Sequence, residues 1–161
     1  MSLVGMPGAG KSTVGVVLAK ALGLGFVDSD LEIQRRAGAT LQAILEAQGY
    51  LELRRQEEAV LLDLPLREVV LATGGSAVYS AASTARLSAA GPIVYLWADI
   101  DTLERRIGAN PLRGIASDPD TSFAEIYAER TPLYEACATM TVDVTARSAE
   151  QIVSELIERL D

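Results

Sequence analysis

The stretch Gly5-Met6-Pro7-Gly8-Ala9-Gly10-Lys11-Ser12 decides the fold, because it fits the phosphate-binding pattern G-x-x-x-x-G-K-[ST] without a mismatch. The segments before and after it have the strand-like and helix-like patterns that this motif requires. Residues 2–4 form a short apolar run typical of a buried strand, and residues 12–22 carry apolar side chains at helical spacing. A glycine-rich turn with a chance lysine is the simpler alternative, but it would not need a strand before it and a helix after it. The stretch therefore predicts a site for a nucleoside triphosphate.

The residue types within this loop indicate how the phosphates are held. Glycines allow successive backbone N–H groups to face phosphate oxygens, and the helix that follows offers its positive N-terminal end. Lys11 is expected to reach the β- and γ-phosphates, and the Ser12 hydroxyl to ligate Mg²⁺. The predicted nucleotide-contacting residues of the loop are Gly8, Ala9, Gly10, Lys11, Ser12 and Thr13.

Length and composition indicate a single domain spanning residues 1–161, of which 49% are apolar. No apolar run is long enough to span a bilayer and no signal segment opens the chain, so we expect a cytoplasmic protein without a membrane partner.

The single cysteine, Cys137, excludes an internal disulfide and fits a reducing compartment. We expect Cys137 to be a small buried hydrophobe rather than a catalytic thiol, and the protein to be a monomer.

Charge restricts the partners and the chemistry. The net charge is −8, which disfavours nucleic acid as a partner, and the chain has no histidine. A general base must therefore be a carboxylate, and a metal ion is expected to be Mg²⁺ held by oxygen ligands. Lysine occurs only at Lys11 and Lys20, so the positions of the arginines carry information about anionic ligands.

Strand-like and helix-like segments alternate along the chain, which predicts an α/β fold with a parallel sheet. Apolar runs at 2–4, 25–27, 69–72, 93–97 and 140–144 read as strands buried on both faces. Helical patterns lie at 11–22, 31–38, 41–48, 51–64, 81–89, 102–107, 123–136 and 149–160. Ligands of such folds bind beyond the carboxyl ends of the strands.

Two segments interrupt this alternation. Residues 31–64 hold more helix than one crossover needs, so we expect a helical insertion that grips a substrate. Residues 109–121 are rich in turn formers and lack periodicity, and we expect them to form a mobile lid.

Asp28-Ser29-Asp30 follows the second predicted strand and has two interpretations. Either aspartate, or Ser29, can cap the helix that begins there. Alternatively, Asp28 holds Mg²⁺ through water and Asp30 orients or deprotonates an attacking hydroxyl, because the ends of neighbouring parallel strands face one crevice.

Arg54 precedes Glu57 by three residues, which again fits two interpretations. The pair, or Arg54 with Glu58, can be an ordinary exposed ion pair along a helix. Alternatively, Glu57 fixes the Arg54 guanidinium for bidentate capture of a substrate carboxylate.

Thr73-Gly74-Gly75-Ser76 follows the third predicted strand. The two glycines either make a turn that needs unusual dihedral angles or let the backbone approach a small ligand. In the predicted lid, Arg113 can close over the transferring phosphate. Arg130 is a candidate second substrate arginine, in a helix that Pro132 is expected to bend or end.

Taken in order, these elements resemble the shikimate kinase family nearly from end to end. The family motifs are D-[ST]-D, G-E-x-x-F-R-x-x-E, T-G-G-G, a lid R-P-L and E-R-x-P-L-Y. The matching stretches here are Asp28 to Asp30, Gly49 to Glu57, Thr73 to Ser76, Arg113-Gly114-Ile115 and Glu129 to Tyr134.

This resemblance implies a P-loop NTPase-like three-layer fold with a five-stranded parallel sheet of order 2-3-1-4-5. It also implies transfer of the γ-phosphoryl group of MgATP to the 3-hydroxyl of shikimate. Asp30, Arg54, Gly74, Gly75 and Arg130 would hold shikimate, with both arginines on its carboxylate. Lys11, Asp30 and Arg113 would be catalytic, Ser12 and Asp28 would serve Mg²⁺, and Arg106, Arg113 and Arg147 would contact ATP.

Three departures from the family pattern lie at the acceptor side or the lid. Ser76 replaces the third glycine of the triplet, and Tyr50 and Leu53 replace a glutamate and an aromatic residue. Gly114 replaces the lid proline, which makes Asn110-Pro111 a rival alignment. A kinase for another small hydroxy acid, such as homoserine, is therefore one alternative, and an ATP-binding regulatory module without catalysis is another.

Overall fold

The fold is seen in a computed structural model that describes residues 1–109 and 114–160. Five strands and eight α-helices alternate along the described chain. The strands are β1 (Ser2–Val4), β2 (Gly25–Asp28), β3 (Val69–Ala72), β4 (Ile93–Trp97) and β5 (Met140–Asp143). The helices are α1 (Lys11–Leu22), α2 (Ser29–Ala37), α3 (Leu41–Gln48), α4 (Tyr50–Asp63), α5 (Ala81–Ala90), α6 (Ile100–Gly108), α7 (Phe123–Cys137) and α8 (Ala149–Leu160). A 3₁₀ turn at Ala77–Tyr79 precedes α5.

All five strands form one parallel sheet of order β2-β3-β1-β4-β5, which confirms the predicted topology. Ser2 on β1 lies opposite Leu71 on one side and Ile93 on the other. Helices surround the sheet, with α1 packed against β3 and α8, and α7 packed against β4. Because the chain leaves β1 in one direction and β4 in the other, a crevice opens at the carboxyl ends of these strands.

The expectation that every strand is buried on both faces is wrong for the two edge strands. The central strands β1, β3 and β4 are almost wholly buried, whereas β2 and β5 each leave residues partly or fully exposed. An edge strand has a neighbour on one side only, and neighbouring helices cover it less completely. The core is accordingly centred on β1, β3 and β4.

Helix α7 continues through Pro132 to Cys137, so the alternative in which this proline ends the helix is wrong. Proline removes one backbone donor from the helix. Arg130 and Tyr134, which flank it in α7, are both buried and anchored by tertiary contacts, at 1% and 0% exposure. Packing of both sides outweighs the single lost hydrogen bond, and the helix remains continuous.

No helix in the described part of the chain is long and apolar enough to cross a bilayer.

Candidate active site

A cavity of about 920 Å³ opens at the carboxyl ends of the central strands. One end is lined by the loop that precedes α1. The other end is lined by α2, the loop after β3, the segment 114–116 and Arg130 of α7. Two sets of side chains that are distant in sequence therefore face one space, as the parallel topology requires.

The loop before α1 has the backbone geometry of an anion site. Gly10 occupies the N-cap position of α1 in the left-handed region, at φ 88°, and no side chain caps the helix. The first N–H groups of α1 thus stay available to a ligand, at the positive end of a twelve-residue helix. This confirms the predicted strand–loop–helix context of the motif.

Lys11 points back into its own loop. Its ammonium group donates to the carbonyl oxygens of Gly5, at 2.7 Å, and Met6, at 3.0 Å. Burial lowers the pKa of Lys11 to about 8, although the nearby carboxylates of Asp30, Asp28 and Glu57 oppose that change. The charge is thus held in the cavity wall beside the position predicted for the phosphates.

Asp28 caps α2, as one of its two interpretations predicts, and it also contacts Ser12, while its role toward Mg²⁺ stays a prediction. Its Oδ1 caps α2 by accepting from the N–H groups of Asp30 and Leu31, and its Oδ2 accepts from the Ser12 hydroxyl at 2.5 Å. Two hard oxygen donors therefore lie together at the start of α1. This pair suits Mg²⁺, which takes only one or two protein oxygens when phosphates and water complete its shell. No cluster of three or more acidic, histidine or cysteine ligands occurs in the described residues.

Asp30 lies in the first turn of α2 and lines the same cavity. Its carboxylate acts electrostatically on Lys11 and on Glu57 of α4. A carboxylate that lines the cavity and lies close enough to Lys11 to act on its charge can orient a hydroxyl nucleophile.

Gly74 and Gly75 are required for close approach rather than for unusual dihedral angles, since neither has a positive φ. A Cβ on Gly74 would lie 2.7 Å from Oδ1 of Asp30, and one on Gly75 would lie 2.8 Å from Nη1 of Arg130. The missing side chains let the backbone pass between functional groups of the site.

Arg54 and Arg130 converge on one carbonyl oxygen. Nε of Arg54 donates to the oxygen of Ala116 at 3.0 Å, and Nη2 of Arg130 donates to it at 2.9 Å. The guanidinium of Arg54 also lies 3.8 Å from the ring centroid of Tyr79, whose hydroxyl accepts from Arg130 at 3.3 Å. Arg130 lines the main cavity, whereas Arg54 lines a smaller cavity beside it. The two arginines therefore lie together but line different cavities, and their predicted binding of a carboxylate stays a prediction.

Glu57 does not hold Arg54, and neither of the predicted Arg54 ion pairs is present among the described residues. Instead Glu57 accepts a hydrogen bond from the hydroxyl of Ser76, and its Oε1 has no hydrogen-bond partner there. Burial, together with the nearby Asp30, raises the pKa of Glu57 to about 7, against the opposing influence of Ser76, Arg130 and Lys11. The reason is geometric, since Ser76 offers a buried donor that competes with Arg54 for this carboxylate.

Arg106 and Arg147 border the nucleotide end of the cavity. Arg106 donates to the carbonyl oxygens of Gly8 and Val144, and Arg147 pairs with Glu155 at 2.6 Å. Both line the cavity, and their contact with ATP stays a prediction. Arg113 and Asn110-Pro111 lie outside the described residues.

Cys137 is half-buried rather than fully buried as predicted, and its thiol contacts the Tyr134 carbonyl oxygen. Burial raises the pKa of the thiol, which disfavours the reactive thiolate.

Sequence reasoning missed Tyr79 and Ala116 as parts of the site. Ala116 acts through its main-chain oxygen, which no side-chain pattern reveals. Tyr79 lies three residues beyond the Thr73–Ser76 motif, and an aromatic residue so close to that motif, able to stack on an arginine, was the available signal.

Comparisons with known proteins show the family to which the chain belongs. The family model described as shikimate kinase matches residues 7–161. The shikimate kinases of Nitrosospira multiformis and Pseudoalteromonas atlantica are each 41% identical to this chain; the matches cover 98% and 99% of it, and 83% and 95% of the relatives. The chain belongs to the shikimate kinase family.

Solved structures of the shikimate kinase family show the same fold. A shikimate kinase from Acinetobacter baumannii in complex with shikimate has a TM-score of 0.87 and 35% identity, and the match covers 99% of this chain and 90% of that one. A shikimate kinase from Aquifex aeolicus has a TM-score of 0.84 and 28% identity, with 99% and 94% coverage. Family membership makes the protein an ATP-dependent kinase that phosphorylates a hydroxyl group.

Proposed function

We propose that this protein is a shikimate kinase, which transfers the γ-phosphoryl group of ATP to the 3-hydroxyl of shikimate. One observation carries the proposal. A single cavity has an uncapped helix N-terminus with Lys11 at one end, and Asp30, Gly75 and Arg130 at the other. The first set suits a polyphosphate and the second suits a hydroxylated carboxylate.

Positioning and charge stabilisation account for the chemistry, because phosphoryl transfer needs little else from a protein. Lys11 exchanges its carbonyl partners for phosphate oxygens. Asp30 accepts a hydrogen bond from the acceptor hydroxyl and orients it toward the γ-phosphorus. Arg130, with Arg54 beside it, pairs with the acceptor carboxylate and fixes which hydroxyl faces ATP.

Ser12 and Asp28 are the residues that would hold Mg²⁺. When bound, the ion would neutralise charge on the phosphate oxygens. Arg106 and Arg147 would border the adenine, and Arg113 would close on ATP from the segment 109–121, which serves as a lid. Helices α2 to α4, which cover the predicted insertion 31–64, would grip the acceptor, so that residues 1–161 act as one kinase domain.

A coupled assay of ADP release with ATP and shikimate tests the proposal, with Asp30→Asn as the inactive comparison. We expect turnover with shikimate far above ATP hydrolysis in its absence, and loss of that excess in the variant. Turnover no faster than with water as the acceptor would reject the proposal. Homoserine, assayed in parallel, tests the alternative acceptor.

A further inference from the structure

Tyr79, the last residue of the 3₁₀ turn, contacts both arginines that we propose for the acceptor carboxylate. The guanidinium carbon of Arg54 lies 3.8 Å from the centroid of its ring, and that of Arg130 lies 5.3 Å from the same centroid. The hydroxyl oxygen of Tyr79 also accepts a hydrogen bond from Nε of Arg130, at 3.3 Å. One half-buried side chain thus reaches two guanidinium groups that come from different helices, α4 and α7.

This contact matters to Arg54 because Glu57, three residues later on the same helix, does not hold it. Glu57 accepts a hydrogen bond from the Ser76 hydroxyl instead. The guanidinium of Arg54 has a second aromatic neighbour in Tyr50, one turn earlier on α4, whose ring centroid lies 5.1 Å away. Stacking on an aromatic face restricts the rotation of a long side chain. It also leaves the hydrogen-bond donors of the guanidinium available, since the contact uses the face of the group and not its edge.

The two guanidinium groups carry the same charge and converge on the Ala116 carbonyl oxygen. Like charges at such a distance repel each other. The negative face of an aromatic ring and the lone pairs of its hydroxyl offset part of this repulsion. Burial, together with the nearby Glu129, raises the pKa of Tyr79 above its ordinary value. The hydroxyl therefore stays neutral, and its oxygen accepts from Arg130 while its proton remains available to another partner.

We propose that Tyr79 is a positioning residue, which holds Arg54 and Arg130 in the arrangement that binds the acceptor carboxylate. This inference rests on the proposed function. The ring acts mainly on Arg54, which stacks on it closely, and the hydroxyl acts on Arg130. Two substitutions separate these contacts, because Tyr79→Phe removes the hydroxyl alone and Tyr79→Leu removes the ring as well.

NMR of the isotope-labelled arginine Nε–H groups tests the positioning in the protein without any ligand. Nε of Arg54 donates to the Ala116 carbonyl oxygen, and Nε of Arg130 donates to Tyr79. We expect Tyr79→Phe to speed hydrogen exchange at Nε of Arg130 by about tenfold, the scale of one lost hydrogen bond, and to leave that of Arg54 unchanged. Tyr79→Leu should speed exchange at both groups by about tenfold, because Arg54 also loses its stacking partner.

Steady-state kinetics test what the positioning does for the acceptor. Tyr79→Leu should raise the KM for shikimate by about tenfold and Tyr79→Phe by about threefold, since the first loses the ring and the hydroxyl and the second only the hydroxyl. The kcat and the KM for ATP should stay within about twofold, which a general structural defect would not allow. In Arg54→Ala, the two substitutions should have equal effects, because the ring then has no stacked guanidinium to hold.

Tyr127→Leu is the matched control. Tyr127 is a half-buried tyrosine of α7 that lines neither cavity, and its hydroxyl donates to the Ala98 carbonyl oxygen. The variant should leave the KM for shikimate and the exchange at both arginines unchanged.

Unchanged exchange at Arg54 in folded Tyr79→Leu would overturn the inference, as would a difference between Tyr79→Leu and Tyr79→Phe that persists in Arg54→Ala. Should Tyr79→Leu not fold, Tyr79→Phe still decides, and unchanged exchange at Arg130 would count against the proposal. If the unmodified protein fails to phosphorylate shikimate, the proposed function fails. The exchange measurements need no acceptor and still test how the two arginines are held.

Discussion

Arg54 and Arg130 carry the same charge and lie side by side, but their environments differ. Arg130 is buried at 1% exposure in the main cavity, whereas Arg54 is half-buried and stacked on Tyr79. A buried guanidinium excludes water from its ion pair, so Arg130 should contribute more to recognition of a carboxylate.

Arg130→Ala should raise the KM for shikimate by about 10- to 100-fold, and Arg54→Ala by less, because each removes charge-assisted hydrogen bonds. Steady-state kinetics with each substrate varied in turn measures this. The KM for ATP should change little. Arg86→Ala is the control, since Arg86 binds the carbonyl oxygens of Leu61 and Leu64 and does not line the cavity. Equal losses for both substrates would contradict the assignment.

Glu57 should make stability depend on pH. Its pKa is raised to about 7 in the folded protein, so the folded state binds more protons than the unfolded state between its ordinary pKa and 7. The stability that this carboxyl contributes is complete at low pH and is lost as the pH rises through about 7.

Urea unfolding at pH 5 and pH 8 checks this sign. The free energy of unfolding of the unmodified protein should fall between these values, relative to Glu57→Gln, by on the order of 2 kcal/mol. Glu58→Gln, its neighbour on α4, should behave like the unmodified protein. A steeper fall in Glu57→Gln would show that the direction of the pKa change is wrong.

At the scale of elements, the segment 114–117 uses the hydrogen-bond donors that we propose for the acceptor carboxylate. The Ala116 carbonyl oxygen accepts from both site arginines, and the Ser117 N–H donates to the Ile115 carbonyl oxygen at 2.8 Å. A carboxylate is a stronger acceptor for a guanidinium than a neutral carbonyl. Acceptor and segment therefore compete for the same donors.

Shikimate without nucleotide should thus increase hydrogen exchange at the backbone amides of residues 114–117. Exchange detected by mass spectrometry, with a peptide from α8 as the internal control, measures the effect. Arg130→Ala should show raised exchange in this segment before any acceptor is added. Unchanged or slower exchange with shikimate would mean that Ala116 stays bound to the arginines.

The start of α7 offers a second test at this scale. Ser122 and Glu125 form a capping box, and the helix they begin carries Arg130. Ser122→Ala should lower the free energy of unfolding by about 1 kcal/mol, measured by urea denaturation, with the KM for shikimate nearly unchanged. Ser88→Ala, at an exposed position within α5, is the control and should not destabilise. A loss no larger than that of the control would mean that the cap does not stabilise the fold.

For the whole molecule, nucleotide binding should stabilise the fold by mass action. At a ligand concentration of about 100 times Kd, the gain is about 2.7 kcal/mol. We expect MgATP to raise the Tm of the protein more than ATP plus a chelator does, as measured by thermal unfolding. Asp28→Asn should reduce that difference.

The two lysines of α1 supply a matched pair for this measurement. Lys11→Ala should abolish most of the stabilisation by ATP, whereas Lys20→Ala, nine positions along the same helix, should leave it intact. Equal stabilisation of both variants would contradict the role of Lys11.

Much of the architecture could be predicted from the sequence because local signals and topology agree. Apolar runs predicted all five strands, and turn-forming residues indicated where helices and strands end. The predicted bounds of the strands and helices therefore differ from the observed ones by two residues at most. Asp28 ends β2, and Asp30 and Gly75 lie within three residues of strand ends, so their proximity follows because the carboxyl ends of parallel strands meet at one edge of the sheet.

The contacts that could not be predicted depend on competition between partners. Glu57 had Arg54 three residues away, but a serine 19 positions later provides the buried donor instead. Ala116 contributes only backbone, and Pro132 is tolerated because tertiary packing holds the helix on both sides. Such choices follow from three-dimensional proximity, which spacing along one chain does not encode.

The resting position of Lys11 has a consequence for how nucleotide enters. Its ammonium group already bridges two carbonyl oxygens of the loop it serves. The loop therefore already has the conformation that binds phosphate. Phosphate oxygens of a triphosphate replace the two carbonyl oxygens as partners of Lys11, and the chain does not have to rearrange first. The rate of nucleotide binding should accordingly be limited by diffusion and by this exchange of partners, rather than by a rearrangement of the loop.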